Sequence, residues 1–215
     1  AEEVALLLEG EYISGKKVID IGCGIGGIDV LLVRQYGAAS VTGVDIEQPV
    51  LNHALARALA EDLSDRLTYQ LVAPGPLPFE PESFEVVFSK DAMIHIPDKE
   101  ALFADVFRIL RPGGLFVASD WMRHDDNPPS PEMEYYLEVE GLNFGMASPE
   151  RYAKALEKAG FAAIKLRDRN AWYSDLSRNE YEQMKGSLYP EMVERLGREN
   201  ADRYVEIWRA MNLVI

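Results

Sequence analysis

A glycine-rich hexapeptide, Gly22-Cys-Gly-Ile-Gly-Gly27, follows the apolar run Lys17-Val-Ile-Asp-Ile21 and precedes the apolar-periodic stretch Ile28–Tyr36. It satisfies G-x-G-x-x-G between a strand and a helix, so its backbone must turn tightly and can approach a ligand closely. Two further carboxylates accompany it. Asp20 lies two positions before the first glycine, inside a run that should be buried, and Asp45 ends the next β-rich run, Ser40–Val44. A second constellation is Ser89-Lys-Asp-Ala-Met-Ile-His-Ile-Pro-Asp98, after the β-rich run Phe84–Phe88. Asp91 and His95 are four apart, so on a helix they share a face, where a carboxylate can bind an ammonium group and orient an imidazole. Structural readings stand beside these: Asp91 capping a turn, His95 filling a pocket, Asp20 capping the loop and Cys23 a small loop residue rather than a nucleophile.

The glycine loop alone serves a dinucleotide as readily as S-adenosylmethionine (SAM), and Asp45 could accept both ribose hydroxyls in either case. Asp20 tips the balance. A buried unpaired carboxylate costs several kcal/mol, as a rough figure, and a cationic ligand offsets that cost.

The elements that must position these residues follow from alternation of β-rich and helical patterns, the signature of βαβ units and a parallel sheet. Strands are expected at Lys17–Ile21, Ser40–Val44, Phe84–Phe88 and Leu115–Ser119, with a weaker one at Thr68–Val72. Helices are expected at Ile28–Tyr36, Val50–Leu63 and about Lys99–Leu110, the last capped by Asp98 and stopped by Arg111-Pro-Gly-Gly114. The irregular stretch 121–148, with Pro128-Pro129-Ser130-Pro131, predicts a lid or substrate insertion. Ser148 and Pro149 then start a helix ended by Gly160, Phe161–Leu166 reads as a strand, and about 175–211 is charged and helical. The final Asn212-Leu-Val-Ile215 is short for a closing antiparallel strand.

With 215 residues and 47% hydrophobic content, the chain fits one domain over 1–215. A net charge of −14 and the lack of a dense Lys/Arg run argue against nucleic-acid backbones and anionic membrane surfaces. No apolar run approaches the roughly 20 residues of a membrane span, and the single Cys23 rules out an intrachain disulfide or a cysteine-rich zinc site. The expectation is a soluble, cytoplasmic protein without a metal. The chain starts at Ala1 inside an amphipathic pattern, which leads us to expect residues upstream.

Val18-Ile-Asp-Ile-Gly-Cys-Gly-Ile-Gly26, with Asp45-Ile46, resembles the first motifs of class I SAM-dependent methyltransferases. The resemblance implies a Rossmann-like α/β fold: a mostly parallel twisted sheet, helices on both faces and a lid insertion after the fifth strand. It implies SAM as cofactor, held by Asp20, Gly22, Gly24, Gly26, Asp45, Ile46 and Lys90, where the family often has Arg. The acidic residue that commonly binds the adenine amino group is replaced here by Ala73-Pro74, leaving shape, water or Gln70.

Residues 84–114 resemble phosphoethanolamine N-methyltransferases and also sarcosine/dimethylglycine N-methyltransferases. That resemblance implies that Asp91 binds the substrate amine and that His95 belongs to a catalytic pair with a tyrosine upstream of Ala1. Trp121, which follows the strand end, is the aromatic residue best placed for a methylated ammonium; Tyr135, Tyr136, Phe144, Trp172 and Tyr173 read mainly as core. In the phosphoethanolamine enzymes an Arg and nearby tyrosines hold the phosphate. Aligned back from Ser148, the Arg position falls here at Leu142 and the second tyrosine at Phe144, with Glu138 and Glu140 close by; Arg123 or Lys154 is the alternative cation if a gap shifts the register. The expected reaction is N-methylation of a small, unphosphorylated amine. Alternatives are methylation of an amino acid or another small nucleophile, a SAM-binding protein without turnover, and a nicotinamide oxidoreductase.

Overall fold

The computed structural model describes residues 2–142 and 144–215, which cluster into two compact units. The first unit, residues 1–125 with 145–164, contains α1 (Glu2–Leu7), β1 (Lys17–Ile21), α2 (Gly27–Arg34), β2 (Ser40–Asp45), α3 (Gln48–Ala60), β3 (Leu67–Leu71), β4 (Phe84–Lys90), α4 (Lys99–Ile109), β5 (Leu110–Ser119) and α6 (Pro149–Ala159). The strands form one sheet in the order β3-β2-β1-β4-β5 with every pairing parallel.

Alternation along the strands divides the core in two. Ile19, Ile21 and Val87 join Phe103, Val106 and Tyr152 of α4 and α6 on one face. Val18, Val86 and Phe88 join Leu32 and Val33 of α2, Ala58 of α3 and Val4 of α1 on the other. A parallel sheet covered on both faces needs such near-continuous apolar strands. Because β1 lies centrally between β2 and β4, the loops after β1, β2 and β4 share the carboxyl edge, where open α/β sheets take their ligands.

The second unit, residues 126–144 with 165–215, is helical: α5 (Pro131–Glu140), α7 (Asn170–Lys185), α8 (Tyr189–Leu196) and α9 (Arg198–Met211). Inside it the Tyr135 hydroxyl bonds the Glu206 carboxylate, Trp208 donates to Glu180 at 3.0 Å, and Asn212 donates to the buried Ser177 hydroxyl at 2.9 Å. No helix among the described residues is long and apolar enough to cross a membrane.

Several boundaries differ from expectation. Phe161–Leu166 forms no strand: Ala163 takes φ 55°, Phe161 and Ile164 pack sideways into the core, and no sheet strand pairs with the segment. The turn residues Arg111-Pro-Gly-Gly114 do stop α4 but are absorbed into β5, which pairs Leu110 with Phe84 and then shifts register to pair Leu115 with Val86. Residues 212–215 close α9 as turns rather than as a strand.

Candidate active site

The glycine loop is shaped by what lies beneath it. Gly22, Gly24 and Gly26 all take positive φ, at 75°, 54° and 72°, a region that disfavours L side chains. A side chain on Gly22 would strike the Ala92 methyl at 2.2 Å, and one on Gly26 would strike the Tyr69 hydroxyl at 2.4 Å. Above Gly24 the space is open. A cavity of about 500 Å³ opens here, lined by Gly22–Ile25, Gly27, Ile28 and Leu31 with Glu3, Val4 and Lys90.

Asp45, at the end of β2, ties the loop to the next helix. Its carboxylate accepts from the Gly24 N–H at 3.0 Å and from the Glu47 N–H at 3.1 Å, leaving further lone pairs outward. Ile46 follows it and is exposed, while Gln70 is exposed near the end of neighbouring β3. Cys23 is buried, and burial with the carboxylates of Asp29 and Asp20 pushes its thiol far up. Its sulfur fills the space over Gly43, beside the Tyr69 ring.

Under the loop lie two carboxyls. Asp20 on β1 is 2% exposed and Asp29 on α2 is 0% exposed. Asp20 Oδ1, both Asp29 oxygens and the Tyr69 hydroxyl sit side by side without a hydrogen bond of ordinary geometry. Burial and mutual repulsion raise the Asp20 carboxyl; burial raises that of Asp29, against the pull of Asp20 and Tyr69. These unpartnered oxygens next to an open glycine cradle fit a cationic cofactor. Asp29 and Tyr69 escaped sequence reasoning, although a carboxylate in the apolar run Gly27-Ile-Asp-Val-Leu31 was a usable signal.

The buried pair makes stability depend on pH. The folded chain holds a proton above the usual carboxylate range near 4, so between that value and the raised one it binds more protons than the unfolded chain. Stability therefore falls as pH rises through that window. We expect Asp29→Asn to leave the melting temperature of the cofactor-free protein nearly unchanged near pH 4 and to raise it at pH 8. The gain should be about 1–3 kcal/mol, the usual penalty of an unsatisfied buried polar group. Parallel melting curves of the two proteins across pH check this.

The second constellation stands at the end of β4, but not as one helix. Asp91 takes φ 56°, its N–H donates to the Ser119 carbonyl at 2.9 Å, and only Met93–His95 make a short 3₁₀ turn. Pro97 keeps Ile96 extended and stops the turn. The shared helical face is thus replaced by an anchored loop. In that loop the Asp91 carboxylate accepts from the Ser119 hydroxyl at 2.8 Å and from the Lys90 ammonium, which also reaches Glu3 at 3.0 Å. His95 is exposed at the end of the turn. Trp121 is half-buried two residues after β5. Phe144 belongs to the second unit, where its ring lies 6.3 Å from that of Tyr136. Sequence reasoning brought forward neither Ser119 nor Asp120; both ride on a strand end, the place where α/β folds concentrate ligand contacts.

Comparison with known proteins agrees with this arrangement. A family described as a methyltransferase domain matches residues 18–114, from β1 through the turn region to β5. The fold of the first unit is that of class I SAM-dependent methyltransferases, with the matched residues 18–114 inside it. Phosphoethanolamine N-methyltransferase 1 of Arabidopsis thaliana is 28% identical over 91% of this chain and 38% of its own length. A sterol 24-C-methyltransferase of Gibberella zeae is 33% identical over 72% of this chain and 41% of its own. The solved phosphoethanolamine N-methyltransferase 2 of Haemonchus contortus, in complex with phosphomonomethylethanolamine and S-adenosylhomocysteine, superposes with a TM-score of 0.87 at 26% identity, over 99% of this chain and 49% of that one. The chain thus spans about two fifths of the curated relatives and half of the solved chain.

Proposed function

We propose that this protein transfers a methyl group from SAM to the nitrogen of a small, unphosphorylated amine. The observation that carries the reading is Asp91. It is held in a left-handed backbone conformation at the end of β4, its carboxylate fixed by Ser119 and Lys90, four residues before His95 and in the same unit as the glycine cradle. Holding a non-glycine residue in this sparsely populated region costs about 1–3 kcal/mol, which a surrounding structure must over-determine.

Bound SAM supplies an electrophilic methyl group on a sulfonium. The protein's own tasks are to orient, desolvate and deprotonate the amine. Asp91 has lone pairs beyond those used by Ser119 and Lys90, and with them accepts N–H bonds from the incoming ammonium. A ring nitrogen of His95 takes the proton, so the amine presents its lone pair to the methyl carbon. Asp20 and the loop glycines would hold the methionine end of the cofactor, with Asp45 toward the ribose and Ile46 toward the adenine. Lys90 compensates the carboxylates of Asp91 and Glu3, and Trp121 offers an aromatic face to a methylated ammonium. The second unit, which joins the insertion after β5 to the C-terminal helices, belongs in this reading to one catalytic domain with the first. The acidic chain, with no helix suited to a membrane among the described residues, fits a cytoplasmic enzyme of small metabolites.

In this reading the substrate differs from that of the phosphoethanolamine enzymes. On the alignment inferred from the sequence, Leu142, which is 51% exposed, takes the place of the phosphate-binding Arg and Phe144 that of a tyrosine. Glu140 is partly buried, and burial raises its carboxyl against the pull of Arg203. Lys154, a possible substitute cation, pairs with Glu150 on the exposed side of α6 at 2.5 Å. A dianion needs charge-assisted donors, which these residues do not offer. Release of S-adenosylhomocysteine from SAM, measured with ethanolamine, sarcosine and phosphoethanolamine side by side, should give a higher kcat/KM for an unphosphorylated amine. A clear preference for phosphoethanolamine would overturn that choice. SAM binding without product from any of the amines would instead favour a non-catalytic SAM-binding role.

A further inference from the structure

Lys99 opens α4 as a fully buried lysine, at 0% exposure, in a chain where the other cations lie toward solvent. Its ammonium donates to the Met93 carbonyl at 2.5 Å and to the Ile96 carbonyl at 2.7 Å, the two sides of the turn that carries His95. It also lies over the Tyr152 ring, 5.2 Å from the centroid. The Met93 carbonyl already accepts from the Ile96 N–H at 2.8 Å within the turn, so Lys99 is its second donor, whereas the Ile96 carbonyl lies past the turn, and leaving it unpaired on burial costs about 1–3 kcal/mol. Lys99 therefore acts as a side-chain cap delivered from the next helix.

The same turn is gripped from two other directions. Asp120, just past β5, accepts from the Ile94 N–H at 2.9 Å and from the Tyr152 hydroxyl of α6. The Gly145 N–H donates to the Ile94 carbonyl at 2.6 Å, and Arg151, paired with Glu100 at 2.8 Å, reaches the Pro97 carbonyl at 3.3 Å. Backbone groups at Met93, Ile94, Ile96 and Pro97 are thus tied to Lys99 of α4, Arg151 of α6, Asp120 after β5 and the loop residue Gly145. Such a frame exceeds what a surface loop needs, since loops ordinarily satisfy their backbone with water. The imidazole remains on the outer side, exposed.

We propose that Lys99 is a positioning residue for the methyl-transfer step: braced by Tyr152 and Asp120, its ammonium holds the 93–96 turn in the register from which His95 works. The proposal rests on the reading of His95 as proton acceptor. The Lys99 side chain is engaged by the 93–96 turn and Tyr152 rather than by the loop glycines or Asp45, so its loss should spare SAM binding. Burial lowers the lysine's proton affinity while the Asp120 charge raises it. The facing groups are Asp120 and, from α6, Arg151 and Tyr152.

The test uses the full-length protein with Lys99→Met, which keeps the volume and removes the charge, and Lys99→Arg. Calorimetry reads SAM affinity, and S-adenosylhomocysteine release reads kcat and KM with whichever of ethanolamine, sarcosine and phosphoethanolamine turns over best. NMR reads the imidazole signal of His95, one of three histidines. Expected for Lys99→Met are SAM affinity within about twofold of the parent and a kcat lower by roughly 10–100-fold, the scale on which sub-ångström misplacement acts. The His95 signal should also broaden or shift without SAM present, and Lys99→Arg should recover part of the rate. Added to His95→Ala, Lys99→Met should cost nothing further, because residues acting through one another are non-additive. Parent-like turnover in Lys99→Met, or a full multiplicative loss on the His95→Ala background, overturns the proposal. Should Lys99→Met not fold, Tyr152→Phe, which keeps the ring but drops the bond to Asp120, decides by the same cycle. A slow His95→Ala beside an indifferent Lys99→Met sinks the positioning role alone, whereas a parent-like His95→Ala sinks the reading of the site.

Discussion

Replacing His95 by alanine in the full-length protein is expected to slow turnover by about 10²–10⁴, the usual yield of a general base, with SAM affinity barely changed. The asymmetry follows from placement. His95 ends an exposed turn after β4, whereas the groups that shape the cofactor cradle are the glycines after β1 and Asp45 after β2. Truncating an exposed imidazole removes little packing, so a lost rate reports chemistry rather than unfolding. Steady-state kinetics with saturating SAM, alongside calorimetry, separate the two effects; unaltered turnover would reduce His95 to a surface residue.

Asp45→Ala should do the reverse, weakening SAM by about 1.5–3 kcal/mol, roughly ten- to a hundredfold in Kd, with a smaller effect on kcat. Two losses combine in that number. The carboxylate is the expected acceptor for the ribose hydroxyls, and it also clamps the Gly24 and Glu47 N–H groups, so its removal loosens the loop as well. Asp45→Asn separates them in part, since one amide oxygen can still hold one N–H while the charge is gone. Unchanged SAM affinity in Asp45→Ala would overturn the assignment of the cofactor site.

Much of this molecule was legible in its residues. Strands β1 and β2 follow from β-branched runs bounded by Gly and Asp, and the caps of α4 and α6, where Asp98 accepts from Ala101 and Ser148 from Arg151, follow from residue type alone. The glycine loop was legible because positive φ leaves little choice of residue. What escaped depends on partners distant in sequence. Phe161–Leu166 has strand composition, but sheet structure needs a neighbour with free backbone groups, which a one-dimensional pattern does not reveal. The loop around Asp91 and His95 departs from a helix because Ser119, 28 residues away, holds Asp91 by backbone and side chain together. Lys99 reads as an ordinary first-turn lysine until the fold buries it.

The Tyr69 ring lies against Gly43 and Cys23 while its hydroxyl sits beneath Gly26. This contact joins four positions on three segments, the glycine loop, β2 and β3, into one volume constraint. A methyl added at Gly43 would meet both the Cys23 sulfur and the Tyr69 ring at 2.7 Å, so drift at that site requires room to be made at both 23 and 69 first. The route to new cofactor-loop sequences is therefore ordered: position 69 must shrink before 26 or 43 can grow. In a library randomised at these four positions and selected for folding, acceptable sequences should exchange volume between sites rather than vary independently, and each single enlargement alone should be lost.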